Sequence, residues 1–455
     1  MLYDYTSTTP ESIDAIADEA VRRADELVSR VVAATEPRTW NNTIAPLETA
    51  FTIMGDAYGR SPFMARVHPN KDVRQRAAAV EERLAKWGND LVFRSDLYEA
   101  IKGYSQTEEA AQLQGTRARL VDFWMRDFRR AGHELDEDDQ AELKRLQQRL
   151  IELQVEFSKN LDEWEDNIEM TRDDLAGLPD EYIGGLETGS SPGTFKVGMA
   201  YPEYVPFMEQ AQRRDLRKAL QFKFWNRAAA ANTPLLAEAV DIRRKMAAIF
   251  GVPTWAHHAM EVKMAKEPGA VDEFYDSIVP QLSKKSADDI MVMTEMLRSD
   301  ESALDAELGG DQLQSWDSSF YTTQLRKRDY GIDQNEVAEY FPLERVVEGM
   351  FEITGEVFGL EYRRLPDARA WHPDVYLYEI RNEGSAEPIA YFYADLSPRE
   401  GKFGHAAAFP LITGQLLDDG TYRKPVAAIV ANFTKPSETT PSLLKHDEAL
   451  TLFHE

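Results

Sequence analysis

The chain has 455 residues, 43% of them hydrophobic and 29% charged, an ordinary balance for a soluble globular protein of two or three domains. With 79 Asp and Glu against 52 Lys and Arg, its net charge of −27 disfavours nucleic acid and anionic membrane surfaces as partners. The absence of cysteine excludes disulfides, thiolate metal sites and a cysteine nucleophile, so any metal must be held by His, Asp or Glu. The start, Met1-Leu2-Tyr3-Asp4-Tyr5, has neither a basic nor an apolar leader region. No run approaches the roughly 18 apolar residues of a membrane span. A reduced, cytoplasmic protein is expected.

The first third reads as helix. Thr9-Pro10-Glu11 combines a capping hydroxyl, a first-turn proline and an acid near the positive dipole end. Ile13, Ile16, Ala20, Ala24, Leu27 and Val31 then recur at helical spacing. Residues 71–92 and 109–130 have similar patterns. Between Asp138 and Asn167, the residues Leu143, Leu146, Leu150, Leu153, Phe157, Leu161 and Trp164 make one apolar stripe, which predicts a long helix packed in a bundle. Gly184-Gly185 and Gly189-Ser190-Ser191-Pro192-Gly193 read as turns, and a domain boundary is expected near residue 190, giving domains 1–190 and 191–455. Helices resume from about Pro202, with breaks at Asn232-Thr233-Pro234 and Gly251-Val252-Pro253.

Near Trp371 the period changes. Val375 and Leu377, then Ile389, Tyr391 and Tyr393, alternate across a hairpin signal at Asn382-Glu383-Gly384-Ser385, and Val426–Ala431 reads as a short buried strand. The last segment, from about Lys445, is helical, with Ala449, Leu450, Leu452 and Phe453 on one face. The fold class is therefore mainly α, with a small mixed or antiparallel sheet near the C-terminal end.

Of the eight histidines, the neighbours His257-His258 point about 100° apart on a helix and are read as structural or surface. His446 and His454 lie about 12 Å apart by helix rise, too far to share a metal. His454-Glu455 supplies the first two letters of H-E-x-x-H, in which two histidines bind zinc and the glutamate serves as general base. Two letters alone carry little. Asp395, Arg399, Lys402 and His405 occupy a glycine-broken loop after a strand; substrate contact and a structural ion pair are equally weighted readings. Asn432, Lys435 and Pro436 are expected to fix a strand-to-helix connection.

Longer stretches add context. Tyr391 through Phe409, including Asp395-Leu396-Ser397-Pro398-Arg399-Glu400-Gly401-Lys402-Phe403-Gly404-His405, resembles a signature of the thimet oligopeptidase and neurolysin family of zinc metallopeptidases. So do Val430-Ala431-Asn432-Phe433-Thr434-Lys435-Pro436, Pro441 through Glu448, and the terminal Thr451-Leu452-Phe453-His454-Glu455. Leu143–Leu161, Phe250-Gly251-Val252 with Val262-Lys263-Met264-Ala265, Gln314-Ser315-Trp316-Asp317 and Tyr340-Phe341-Pro342-Leu343 extend the likeness over nearly the whole chain. Phe403-Gly404-His405-Ala406 after Lys402 is closer to the thimet oligopeptidase and saccharolysin branch than to dipeptidyl carboxypeptidase.

The resemblance implies two helical lobes beside a channel and a monomeric, cytoplasmic enzyme. It implies one Zn²⁺ held in part by His454, with Glu455 as general base and short peptides cut at internal bonds. Arg399, Lys402, Gly404 and His405 are candidate substrate contacts. It further implies a sequence cut inside the zinc motif, without the second His and the Glu ligand, so that residues 1–455 alone are inactive. The other reading is a non-catalytic, helical peptide-binding fragment.

Overall fold

Thr9 starts the first helix: its hydroxyl accepts the Ser12 N–H at 3.2 Å, and the Ser12 hydroxyl oxygen accepts the Thr9 N–H at 2.9 Å. In this computed structural model, which describes residues 2–34, 37–162, 164–199, 201–332, 334–417, 419–433 and 441–455, helix predominates. The chain forms two units: residues 135–333, and residues 1–134 together with 334–455. The boundary expected near residue 190 falls inside the first of these, within a small sheet.

That contiguous unit opens with the helix Glu137–Asp162, acidic in its first turn. Leu143, Leu146 and Leu153 are buried against Ile242 and Met246. The helix is shorter than its apolar stripe: it stops at Asp162, Trp164 is 42% exposed, and Asn167 already begins strand β1 (Asn167–Thr171). With β2 (Glu187–Thr188) and β3 (Thr194–Gly198), β1 forms an antiparallel sheet of order β1-β3-β2, which the sequence reading missed. Asn232-Thr233-Pro234 does not break a helix. Ala229–Ile249 runs through it with Pro234 inside the helix, and the buried Asn232 amide donates to the Phe157 carbonyl at 3.0 Å. The break at Gly251 is present, with φ +66°. His258 is buried and stacked on Phe250 at 4.2 Å, while the His257 ring lies 2.9 Å from the Thr254 hydroxyl, a structural pair as expected.

The other unit combines N-terminal helices (Pro10–Ala33, Ala45–Arg60, Lys71–Val92, Ser95–Ser105 and Gly115–Arg130) with the helix Leu343–Phe358 and a five-stranded mixed sheet. The sheet comprises β4 (Leu360–Leu365), β5 (Tyr376–Asn382), β6 (Pro388–Asp395), β7 (Ala407–Ile412) and β10 (Val426–Val430). A ribbon of β8 (Gln415–Leu416) and β9 (Tyr422–Arg423) lies between β7 and β10 in sequence. The order is β4-β5-β6-β10-β7, with β10 parallel to β6 and the other pairs antiparallel. The expected hairpin joins β5 to β6, with Gly384 at φ +71°.

Alternation splits the sheet residues between two cores. Leu377, Tyr393, Val426, Ala428 and Val430 pack with the N-terminal helices. Phe392 and Ala394 face the other way, toward Val346 and the terminal helix His446–His454. One close approach demands glycine: a Cβ on Gly59 would lie 2.3 Å from the Leu411 carbonyl oxygen. The terminal helix buries Ala449 and Leu452, the latter contributing about 1.5–3 kcal/mol. Its buried face is narrower than expected, since Leu450 (57%) and Phe453 (46%) are exposed.

Candidate functional site

Strand β6 ends on Asp395, which has no exposed surface. Its Oδ1 accepts Arg399 Nη1 at 2.6 Å, and its Oδ2 accepts Arg399 Nη2 at 2.6 Å and the Trp371 indole N–H at 2.7 Å. Lys402 Nζ lies 2.8 Å from Oδ1 and donates to the carbonyls of Asp395 and Ser397, each at 2.8 Å, and of Ala431. Arg399 also donates to the Val67 carbonyl at 2.6 Å. The Arg399 and Lys402 side chains are 9% and 0% exposed, turned inward and engaged with protein groups. Of the two readings of this cluster, the geometry has the form of structural pairing. Burial raises the Asp395 pKa, but hydrogen bonds from Arg399 and the charge of Lys402 outweigh it, and the net direction is down.

Gly404 and His405 face outward from the same loop, and no atom lies within 4 Å of where a Cβ on Gly404 would sit. Asn432 holds this exposed tip: its amide donates to the carbonyls of Phe403 (2.8 Å) and His405 (3.2 Å). Its expected connecting role therefore falls on the loop. Lys435 and Pro436 lie outside the described residues. His405 leads into β7, an edge strand. Ala407 of β7 is registered with Val430, which in turn pairs with Asp395. The open tip, the start of β7 and the carboxyl ends of β6 and β10 thus share one end of the sheet.

The terminal helix reaches that same end, packing Ala449 and Leu452 with Ala394, Leu396, Ala431 and Phe433. Two bonds fix its approach: the Leu343 N–H donates to the Ser442 carbonyl and the Leu444 N–H to the Phe341 carbonyl, each at 2.8 Å. The Glu448 carboxylate accepts the Lys445 N–H at 2.8 Å, and burial pushes its pKa up. His454 is exposed and Glu455 half-buried, with the Glu455 N–H donating to the Thr451 carbonyl at 3.1 Å.

Among the described residues no group of three His, Cys, Asp or Glu could hold a metal ion. A catalytic zinc needs about three protein ligands and an open position. His454 offers one, and His446 stands about 12 Å away along the helix. The residues present do not by themselves fit a zinc centre.

Trp371, the Val67 carbonyl and the β7 edge escaped the sequence reading. The one local signal for Trp371 is chemical: a buried indole N–H requires an acceptor.

The model of peptidase family M3 matches residues 207–455. The chain belongs to that family. It is 30% identical to a thimet-like oligopeptidase from Dictyostelium discoideum over 92% of this chain and 63% of the relative. Saccharolysin from Saccharomyces cerevisiae is 28% identical over 99% of this chain and 64% of its own length, and oligopeptidase A from Escherichia coli 26% over 99% and 67%. The chain thus spans just under two thirds of the first two relatives. No helix among the described residues is long and apolar enough to cross a membrane.

Proposed function

We propose that these residues belong to a monomeric, cytoplasmic oligopeptidase that hydrolyses internal bonds of short, unstructured peptides. The observation that carries this reading is a convergence: the family match includes His454-Glu455, and their helix packs at the end of the sheet where Gly404 and His405 are exposed and the edge strand β7 begins. An extended peptide can add to such an edge through main-chain hydrogen bonds. His454 is assigned as one zinc ligand of the complete enzyme, and Glu455 as the carboxylate that accepts a proton from the attacking water. Arg399 and Lys402 are assigned to holding the loop, and Gly404 and His405 to its substrate side. A polypeptide of residues 1–455 alone, with one ligand of the set, is assigned no turnover.

The test assays the protein purified from its natural source against quenched-fluorescent short peptides and against folded proteins. Short peptides should be cut and folded proteins spared. Glu455→Gln should lose about 10²–10⁴-fold in rate. Folded proteins digested as fast as peptides, or near-normal turnover by Glu455→Gln, would contradict the reading. Peptide binding without any hydrolysis would favour the non-catalytic one. Stoichiometric zinc in the 455-residue polypeptide that vanishes with His454→Ala would contradict the incomplete site.

A further inference from the structure

Tyr5 precedes the first helix, yet it is 2% exposed. Its N–H donates to the Arg369 carbonyl at 2.9 Å and its hydroxyl to the Gly59 carbonyl at 3.0 Å. Its ring stands edge-on to Trp371 (centroids 5.2 Å apart) and to Tyr393 (5.8 Å). From there the rings continue without a gap. Trp371 meets Phe63 at 5.0 Å, Phe63 meets Phe409 at 5.3 Å, Phe409 meets Phe403 at 5.7 Å, and Phe403 meets the exposed His405 at 5.9 Å.

Two polar routes run beside the rings. Trp371, held by Tyr5 on one side, donates its indole N–H to Asp395, the anchor of Arg399 and Lys402. The turn after Phe63 supplies two carbonyls to the same loop: Arg66 accepts the Phe403 N–H at 2.7 Å, and Val67 accepts Arg399. Removing the Tyr5 ring opens a space against Trp371 that close-packed neighbours fill only by shifting. A shift of the indole lengthens its bond to Asp395 and slackens the loop that carries His405.

We propose that Tyr5 is a positioning residue: the N-terminal segment straps the Trp371–Asp395 cluster from behind and so sets the His405 tip beside β7. The functional weight of that tip rests on the peptidase reading above, whereas the coupling itself is a property of the chain.

The test is hydrogen exchange by mass spectrometry on the 455-residue chain. Tyr5→Ala should accelerate amide exchange across residues 399–405 by about tenfold or more, the Phe403 amide included, while the helix Glu137–Asp162 in the other unit keeps its rate. Tyr5→Phe keeps the ring, loses only the bond to Gly59, and should restore slow exchange. The His405 ring resonances should move in Tyr5→Ala and return in Tyr5→Phe. Trp371→Phe, which keeps a ring but removes the indole donor, should accelerate the same segment, and it carries the test if Tyr5→Ala does not accumulate. Unchanged exchange in 399–405, or equal acceleration in both units, would overturn the proposal. No turnover is read, so the outcome is independent of whether the protein is a peptidase.

Discussion

Each unit of the molecule buries one aspartate between two cations, and the two clusters serve different ends. In residues 135–333, Asp317 accepts from Arg214 at 2.7–3.1 Å, from Arg217 at 3.1 Å and from the Gln314 N–H at 3.0 Å. Further arginine donors end on the carbonyls of Ala211, Gln212, Ala303, Gly310, Gln312 and Trp316, and Arg217 lies 4.2 Å from the Phe320 ring centre. Burial dominates at Arg217 and draws its pKa down. Arg214 and Arg217 stand 103 and 100 positions from Asp317, so the cluster staples distant segments, and its charged side chains are buried. Asp395 takes its cations from four and seven residues downstream. It closes its own loop, with further ties to Trp371 and, through Arg399, to Val67, and leaves that loop's tip exposed. Both ion clusters are buried, and one of them holds an exposed loop tip toward solvent.

The largest test of this contrast is Asp317→Ala, which strands two buried guanidinium groups. It should cost about 3–5 kcal/mol in urea unfolding and lower the whole of residues 135–333. Asp395→Asn keeps the shape and removes the charge. It should cost about 1.5–3 kcal/mol, with enhanced exchange confined to the loop. If it unfolded its unit wholesale as Asp317→Ala does, the distinction between local clasp and distant staple would fail.

The same carboxylate sets a sign in acid. Its folded pKa lies below the unfolded value of about 3.9, so its stabilising contribution is complete above that pH and is lost as pH falls through the folded value. Asp395→Asn should flatten this part of the acid unfolding curve. Gly59→Ala, which drives a methyl into the Leu411 carbonyl, should cost about 1–3 kcal/mol by thermal melting. The smallest effect is expected at His405→Ala, within about 0.5 kcal/mol, because the ring is exposed.

Local chemistry was legible in the sequence. The Thr9-Pro10 start, the Gly384 hairpin and the alternation through Tyr391 and Tyr393 follow from capping, positive φ and the pleat. Trp164 extended an apolar stripe by coincidence, since nothing in the side-chain pattern marks the end of the helix at Asp162. Leu450 and Phe453 shared a predicted apolar face with Ala449 and Leu452 yet are exposed, because apolarity does not say which side of a helix meets a partner. Asp395, Arg399 and Lys402 stood at a spacing compatible with either a clasp or a substrate grip, and spacing alone carries no sign of the burial they have. Asp317 with Arg214 and Trp371 with Asp395 had no short-range signature at all, since tertiary folding brings them together.

The interrupted unit has a consequence for synthesis. Its first 134 residues leave the ribosome before the 199 residues of 135–333, and only then do the strands that pack on them emerge. At translation speeds of about 5–20 residues per second, the apolar faces of Pro10–Ala33 and Ala45–Arg60 wait about 16–80 s for β6 and β10, while residues 135–333 form an uninterrupted stretch able to close first. The nascent chain is thus most open to chaperone capture at its beginning.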